Sequence, residues 1–249
     1  GYGRIGRRLT WPDDYSRIYF RYRLESVEYL DFSKDFSNPL GLKENKPEVN
    51  SSIGLTYLRD SRDMPQFPSR GSLCLYTLDL AGGPLRGDEN YYKQVLESDS
   101  YFPTLLNVTF MLRFKLGLVD AFGSDHQVPP SERFKPGGTS LDGMIRGYSD
   151  WSVGPRQQGV RIGGRAMFTS TVELQIPIAR QQLYALLFAD AGNAWRWASE
   201  VKPFNLKRSV GVGVRVVVPM MGTVGFDFAY GFDNPTDKWH THFQFGTSF

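Results

Sequence analysis

Apolar and polar residues alternate with a period of two along most of this chain. In "NVTFMLRFKLGLV", apolar side chains fill every second position, with Thr109, Arg113 and Lys115 between them. Such alternation over about eight residues is typical of a β-strand with one apolar and one polar face. The strands predicted at 71–82 and 91–102 alternate less regularly than the others. The pattern predicts eleven strands, at 1–11, 15–31, 49–60, 71–82, 91–102, 106–121, 165–177, 182–193, 208–219, 222–233 and 239–249.

The lengths of these strands and of the links between them are typical of a transmembrane β-barrel. A tilted strand crosses a bilayer with about 9–11 residues, and most of the predicted strands are at least that long. Outer-membrane barrels join their strands by short turns on the periplasmic side and long loops outside. Here the short links span 11–15, 102–106, 177–182 and 219–222, and the long ones span 31–49, 122–164 and 193–208.

The two faces of the strands differ as a lipid-facing and a lumen-facing surface would. One face carries valines and large aromatic residues, and the other carries Arg, Lys and Gly. A charge on the lipid face costs about 2–4 kcal/mol at the bilayer midplane, and the apolar faces of the most regular strands carry none. The alternative is a soluble β-sandwich, whose strands average only about 5–6 residues. We therefore predict an all-β fold, a transmembrane antiparallel β-barrel.

The predicted barrel is incomplete. Eleven is an odd number, whereas single-chain bacterial barrels usually have an even number of strands. The chain also begins in the strand-like stretch "GYGRIGRRLTW", which lacks the basic and apolar regions of a signal peptide. We therefore expect strands to be missing at the N-terminus.

Composition excludes several other classes of protein. The net charge of +3 is small and evenly spread, which does not favour nucleic-acid binding. Cys74 is the single cysteine, so an intrachain disulfide is excluded. No apolar run reaches the roughly 18 residues of a membrane helix. The mean hydropathy of −0.36 is compatible with a barrel, because lipid-facing and lumen-facing residues alternate.

Several motifs, in chain order, resemble those of the BamA family of outer-membrane β-barrel assembly factors. The turn "YLRDSRDMPQFPSRGS" and the strand "GGRAMFTSTVELQIPI" resemble family segments, as does the ending "FQFGTSF". "LLFADAGNAW" resembles the family's Phe-x-Asp-x-Gly strand motif, at Phe188, Asp190 and Gly192. The family's loop motif is an apolar residue followed by Arg-Gly-Phe or Arg-Gly-Tyr, and it is matched by Ile145, Arg146, Gly147 and Tyr148.

The resemblance implies both a fold and a function. It implies a barrel of about sixteen strands, an even number as in other bacterial barrels, preceded by POTRA domains. Residues 1–249 would be the C-terminal portion of that single barrel domain, with the N-terminal strands and all POTRA domains absent. The implied function is to fold and insert other barrel proteins into the outer membrane without a nucleotide or other cofactor. The implied partners are the lipid bilayer, unfolded outer-membrane proteins and accessory lipoproteins.

The long loop 122–164 is expected to fold into the lumen and bring Arg146 to the wall. In strand 165–177 the polar odd positions, including Glu173, face inward, and Asp190 shares the inward face of the next strand. Glu173 and Asp190 are therefore predicted neighbours, and the resemblance implies that the loop arginine pairs with both. A guanidinium suits this role because it can donate two parallel hydrogen bonds to one carboxylate. The alternative is that Arg146 is an ordinary solvated loop residue.

The last strand is a second candidate site. In the family this strand closes weakly on the first strand, and the seam opens to template incoming strands by β-augmentation. The alternative is that its apolar residues simply face lipid, as in any barrel strand. The residues concerned are Phe243, Gln244, Phe245, Gly246, Thr247 and Phe249.

Other functions remain alternatives. A hydrolase would need a nucleophile, a base and an acid close together, but none of His126, His240 and His242 adjoins a recognisable serine motif. His240 and His242 share a face but lack an evident third metal ligand, so we expect neither catalysis nor a metal site. A TamA-like or two-partner-secretion translocation pore of the same superfamily is a closer alternative. A passive porin is another, since a cationic lumen favours anions. The cations predicted to line that lumen are Arg21, Arg23, Arg113, Lys115 and Arg215.

Overall fold

The structure is a computed structural model. It describes residues 1–28, 46–122, 128–179, 182–218, 222–234 and 238–246. Within these residues, eleven strands form one antiparallel sheet in the order β1-β2-β3-β4-β5-β6-β9-β10-β11-β12-β13. The remaining two strands, β7 and β8, form a small separate hairpin. Among the same residues, no helix is both long enough and apolar enough to cross a bilayer.

Every strand of the large sheet pairs with its neighbours in sequence, apart from the long insertion between β6 and β9. The large sheet consists of β1 (Tyr2–Arg8), β2 (Ser16–Val27), β3 (Glu48–Asp60), β4 (Gly71–Ala81), β5 (Tyr91–Pro103), β6 (Thr109–Ala121), β9 (Ala166–Ala179), β10 (Leu183–Trp195), β11 (Lys207–Val218), β12 (Gly222–Gly231) and β13 (Trp239–Gly246). The small hairpin consists of β7 (Arg156–Gln157) and β8 (Val160–Arg161), and short 3-10 helices lie at Gly83–Leu85, Leu105–Asn107 and Ala198–Glu200.

The structure confirms the predicted fold, and all eleven strands lie where the alternation places them. The two irregular strands are present as β4 and β5. The first strand ends at Arg8 rather than at residue 11. The turn after it is organised by Asp13, whose Oδ1 accepts hydrogen bonds from the Tyr15 backbone N–H and the Ser16 hydroxyl. Aspartate often closes turns in this way, because its carboxylate reaches the backbone N–H groups that follow it.

The two faces of the sheet differ in chemistry and in burial. On the outer face, alternate valines of β11 and aromatic residues of β12 and β13 are exposed, for example Phe243 at 68%. On the inner face, the polar residues Ser209, Arg215 and Asp227 are almost fully buried. This reverses the usual distribution in a soluble protein, where apolar side chains fill the interior. It is the distribution expected of a barrel whose outer face contacts lipid.

The inner face is buried because residues 128–164 of the long loop pack against it. Phe134 forms a backbone bridge with Gly164 and joins a core cluster with Val119 and Met167. Its ring lies over Gly117, where a Cβ atom would stand 2.5 Å from the ring. A second cluster consists of Ile145, Tyr148 and Val153. The first cluster packs the part of the loop around Phe134 against strands β4 to β6, β9 and β10.

The turn between β3 and β4, residues 61–70, also folds against the inner face. The Asp63 carboxylate accepts hydrogen bonds from the backbone N–H groups of Met64 and Ser69, which holds the turn in a compact form. The ring of Phe67 stacks on that of Tyr184, with centroids 3.9 Å apart and an interplanar angle of 6°. The sequence predicts a turn here but gives no sign of its inward position.

Candidate functional site

Arg146 lies at the centre of the contacts between the loop and the wall. Its side chain has no exposed surface. Its Nε and Nη2 atoms donate hydrogen bonds to the two carboxylate oxygens of Asp190, each at 2.9 Å, and its backbone N–H donates to the same carboxylate at 2.9 Å. Its Nη1 atom donates to Oε2 of Glu173 at 3.1 Å. The structure therefore brings together the three residues that the sequence grouped.

Asp227 on β12 is a third carboxylate at this site. Its Oδ2 atom lies 3.8 Å from Nη1 of Arg146. It accepts a bidentate pair of hydrogen bonds from Arg215, at 2.7 and 2.8 Å, and one from the Gln244 amide at 2.8 Å. Asp227 lies on the polar inner face of β12, but the alternation of residues alone does not link it to Arg146. The missing information was the register of β12, which only the three-dimensional pairing supplies.

Arg146 keeps its charge in this buried position. Burial alone would lower the pKa of the guanidinium, but the charge and hydrogen bonds of Asp190 and the charge of Glu173 raise it above its usual value. The Cζ atom also lies 3.3 Å from the centroid of the Phe188 ring, in a cation–π contact. Phe188 and Asp190 project from the same face of β10, so the strand motif supplies both the ring and the carboxylate that hold the guanidinium.

Ile145 and Gly192 fit closely together. Ile145 is fully buried. A Cβ atom on Gly192 would lie 2.9 Å from Cδ1 of Ile145 and 2.8 Å from the backbone oxygen of Phe168. Glycine at this position of the strand motif therefore makes room for the first residue of the loop motif.

Gly147 and Tyr148 extend the contacts to the remaining strands. Gly147 has a positive φ of 86°, which favours glycine, and its N–H donates to Nε2 of His242 at 3.0 Å. The Tyr148 hydroxyl donates to the backbone oxygen of Arg208 at 2.9 Å and accepts from the backbone N–H of Asp233. With Glu173 on β9 and Asp190 on β10, the loop motif thus contacts the last five strands of the sheet or their ends.

The last strand has one face towards the loop motif and one face outward. Gln244 and His242 are buried and face the motif, whereas Phe243 and Phe245 are exposed on the outer face. Gly246 pairs with Thr223 of β12. Thr247 and Phe249 lie outside the described residues. Within the residues that are described, β13 pairs with β12 alone and is an edge of the sheet.

The five cations that the sequence predicts to line the lumen are each paired with a carboxylate. Their positive charges are therefore balanced, and they do not make the lumen strongly cationic. Three of these carboxylates lie on the irregular strands β4 and β5, and one lies in the long loop. In these segments the alternation of residues does not show which side chains face inward. The pairs, with their shortest distances, are Arg21–Asp79 at 2.7 Å, Arg23–Glu132 at 2.7 Å, Arg113–Asp99 at 2.7 Å, Lys115–Glu97 at 3.2 Å and Arg215–Asp227 at 2.7 Å.

The histidines have structural contacts where they are described. His242 accepts the hydrogen bond from Gly147, and a ring nitrogen of His240 lies 3.1 Å from the Asn234 amide nitrogen. His126 lies outside the described residues. In the part of the chain that the structure describes, no three His, Cys, Asp or Glu side chains are grouped so that they could hold a metal ion.

The sequence matches a family model and several curated proteins. Residues 2–249 match the Omp85 superfamily domain. The outer membrane protein assembly factor BamA of Nitratidesulfovibrio vulgaris is 32% identical over 234 residues, which is 90% of this chain and 28% of that protein. BamA of Neisseria meningitidis serogroup B is 29% identical over 76% of this chain and 26% of its own length. The human sorting and assembly machinery component 50 homolog is 29% identical over 55% of this chain and 28% of its own length.

The fold also matches a solved structure. The crystal structure of BamA from Haemophilus ducreyi lacking POTRA domains 1–3 superposes with a TM-score of 0.76 at 19% identity. The match covers 98% of this chain and 52% of that one. The chain thus spans little more than a quarter of the length of the curated relatives and about half of the solved barrel chain. On the family match and the identity to BamA, the chain belongs to the Omp85 superfamily and is a homologue of BamA with the fold of an outer-membrane β-barrel.

Proposed function

We propose that the protein containing this chain folds β-barrel proteins and inserts them into the outer membrane, as the names of its BamA relatives state for those proteins. The observation that carries the proposal is the loop motif bound to the last five strands, because a passive channel has no need of a buried arginine at its centre. The lipid bilayer, unfolded outer-membrane proteins and accessory lipoproteins are the partners that this activity requires.

The domain arrangement is part of the same proposal. Residues 1–249 form the C-terminal portion of one barrel, and a preceding segment of the protein supplies the remaining strands and the POTRA domains. The open edges at β1 and β13 support this arrangement. In the complete barrel β13 closes against the first strand, and the seam between them templates incoming strands. The role of the loop is to lock β9 to β13 in one arrangement.

A reconstitution experiment tests the assembly activity. Vesicles containing the full-length protein should fold an unfolded barrel substrate faster than empty vesicles do. Arg146→Ala should slow folding at least tenfold, because breaking a buried ion pair costs about 3–5 kcal/mol and about 1.4 kcal/mol is already tenfold in rate. Arg156→Ala, which removes an exposed arginine from β7, is the matched control and should leave the rate unchanged. Equal folding rates with and without the protein would contradict the proposal.

Site-specific crosslinking tests templating. A photocrosslinker at Gln244 or Thr247 should capture a substrate strand during assembly, whereas one at Val212, on the outer face of β11, should not. If neither seam position captures substrate while folding proceeds, the activity stands but the templating mechanism fails. Conductance distinguishes a passive channel, which gives large steady currents, from the assembly factor, which gives small flickering ones.

A further inference from the structure

An apolar groove of about 360 Å³ lies on the outer surface of the sheet, at the end where the long loops emerge. Leu96, Leu116 and Phe168 line its base from three neighbouring strands. Val201, in the segment after β10, forms part of its wall. The outer face of a barrel contacts lipid, so the groove is a depression in the lipid-facing surface with room for an acyl chain.

One residue that lines the groove, Trp195, carries a polar group without a partner in the part of the chain that the structure describes. This residue is 8% exposed. The indole N–H of Trp195 has no hydrogen-bond partner among the described residues. A buried donor without an acceptor costs about 1–3 kcal/mol, and tryptophan N–H groups usually find a partner when buried. The ester carbonyl of an acylated lipid is an acceptor that fits an otherwise apolar groove.

Three arginines lie on chain segments that are joined by backbone hydrogen bonds near the groove, and two of them, Arg165 and Arg196, adjoin its lining residues Ala166 and Trp195 in the sequence. Phe134 and Gly164 exchange two such bonds, and the Arg165 N–H donates to the Trp195 oxygen at 2.8 Å. Arg165 is one of these bonded residues, and Arg133 and Arg196 adjoin Phe134 and Trp195. Burial and the positive charges of Arg165 and Arg196 lower the pKa of Arg133 to about 10. Among the described residues, Asp120 pairs with Arg165 at 2.6 Å.

We propose that this groove binds one acyl chain of a phosphorylated, ester-linked lipid of the outer leaflet, with the lipid phosphate held by Arg133, Arg165 and Arg196. Arginine suits a phosphate because its guanidinium donates two parallel hydrogen bonds. The Arg165 guanidinium is already oriented by stacking over the Trp197 ring at 4.0 Å. The site is separate from the loop motif, so its failure would leave the proposed function intact.

Native mass spectrometry of the full-length protein in detergent, with diphosphoryl lipid A as the probe, tests the site. We expect one lipid to stay bound after the annular lipid has been removed. Arg133→Gln with Arg196→Gln should weaken retention about tenfold, because two charge-assisted contacts are lost. Trp195→Phe keeps an aromatic ring but removes the indole N–H, and it should weaken retention about threefold.

Filling the groove provides a second, independent test. Leu116→Trp and Val201→Trp should each abolish retention. Val212→Trp, on the outer face of β11 away from the groove, is the matched control and should retain the lipid. The shift in electrophoretic migration on heating checks that each variant is folded. Because Val201 lies in an irregular segment, that variant still tests the groove if Leu116→Trp fails to fold.

Two results would overturn the proposal. Equal retention by the folded groove-filling variants and the wild type would mean that the lipid binds elsewhere on the barrel. Binding of inorganic phosphate that the double arginine variant abolishes, without any lipid retention, would mean that the arginines form a site for soluble anions.

Discussion

The carboxylate of Asp190 accepts three hydrogen bonds from one residue, two from the guanidinium of Arg146 and one from its backbone. The first two fix the side chain, and the third fixes the main chain of the loop at the same point. Replacing the carboxylate therefore affects the position of the loop as well as the charge balance. Glu173 shares the charge but forms a single hydrogen bond with Arg146.

Asp190→Asn should loosen the loop by about 3–5 kcal/mol, because it leaves the buried guanidinium only partly compensated. Limited proteolysis of the loop in membranes should show faster cleavage. Asp14→Asn, whose partner Arg8 lies 3.7 Å away in an exposed pair, is the control and should be cleaved like the wild type. Exchanging the charges, with Arg146→Asp and Asp190→Arg together, should restore part of the protection. Unchanged cleavage of Asp190→Asn would show that this pair does not hold the loop.

Gly192→Ala should displace the loop through Ile145 rather than through charge. The added methyl group would stand within 3 Å of Ile145 and of the Phe168 backbone. A matched substitution is Gly3→Ala on β1, where nothing lies within 4 Å of the new Cβ. Thermal unfolding should show a loss of about 1–3 kcal/mol for Gly192→Ala, typical of overpacking, and Ile145→Val in the same chain should recover part of it. No recovery would mean that the contacts with the Phe168 backbone and the Thr169 methyl group dominate.

At the scale of the strands and loops, the sequence predicts both a strand and the direction of its side chains wherever one face of the strand is uniformly apolar. Val210 to Val218 and Phe226 to Phe228 alternate cleanly, so both the strands and their inward partners could be assigned. Alternation carries no information about register, so the contact between Asp227 and Arg146 could not be found from the sequence. Alternation also does not show which turns fold against the inner face of the sheet, as the turn that contains Phe67 does.

The bond from Gly147 to His242 connects the loop to the last strand. His242→Leu should leave the Gly147 N–H buried without an acceptor, at a cost of about 1–3 kcal/mol. We expect faster proteolysis of the loop in this variant. His240→Leu, on the same face of β13 but outside the motif, is the control. If both variants behave like the wild type, the loop and the last strand are not coupled through this bond.

The connection between β4 and β5 contains a buried carboxyl group, that of Glu89, whose protonation affects the stability of the protein. Burial, together with the charges of Glu132 and Glu48, raises the pKa of Glu89 to about 7. Because the folded state holds this proton more tightly than the unfolded state, the protein loses stability as the pH rises from about 4.5 through about 7. Glu89→Gln should therefore be more thermally stable than the wild type at pH 8, by about 1–3 kcal/mol, and equal to it at pH 4. A difference of the same size at both pH values would contradict this assignment.

At the scale of the whole molecule, the inner face is covered by two segments from opposite ends of the strands, the long loop and the turn 61–70. Phe67 on Tyr184 and Arg146 on Asp190 are the contacts that hold them. The full-length protein should therefore pass little current in a planar bilayer. Phe67→Ala combined with Arg146→Ala should increase the open conductance by more than the sum of the two single changes, and an additive or smaller effect would indicate that another segment closes the lumen.

The close fit of Ile145 against Gly192 has a consequence for how this barrel can change during evolution. The volume available to the two side chains together is fixed by the Phe168 backbone, so neither position can drift alone. Lineages that acquire a bulkier residue on the strand should carry a smaller one in the loop, and this reciprocal trend should be visible as covariation between two positions nearly fifty residues apart.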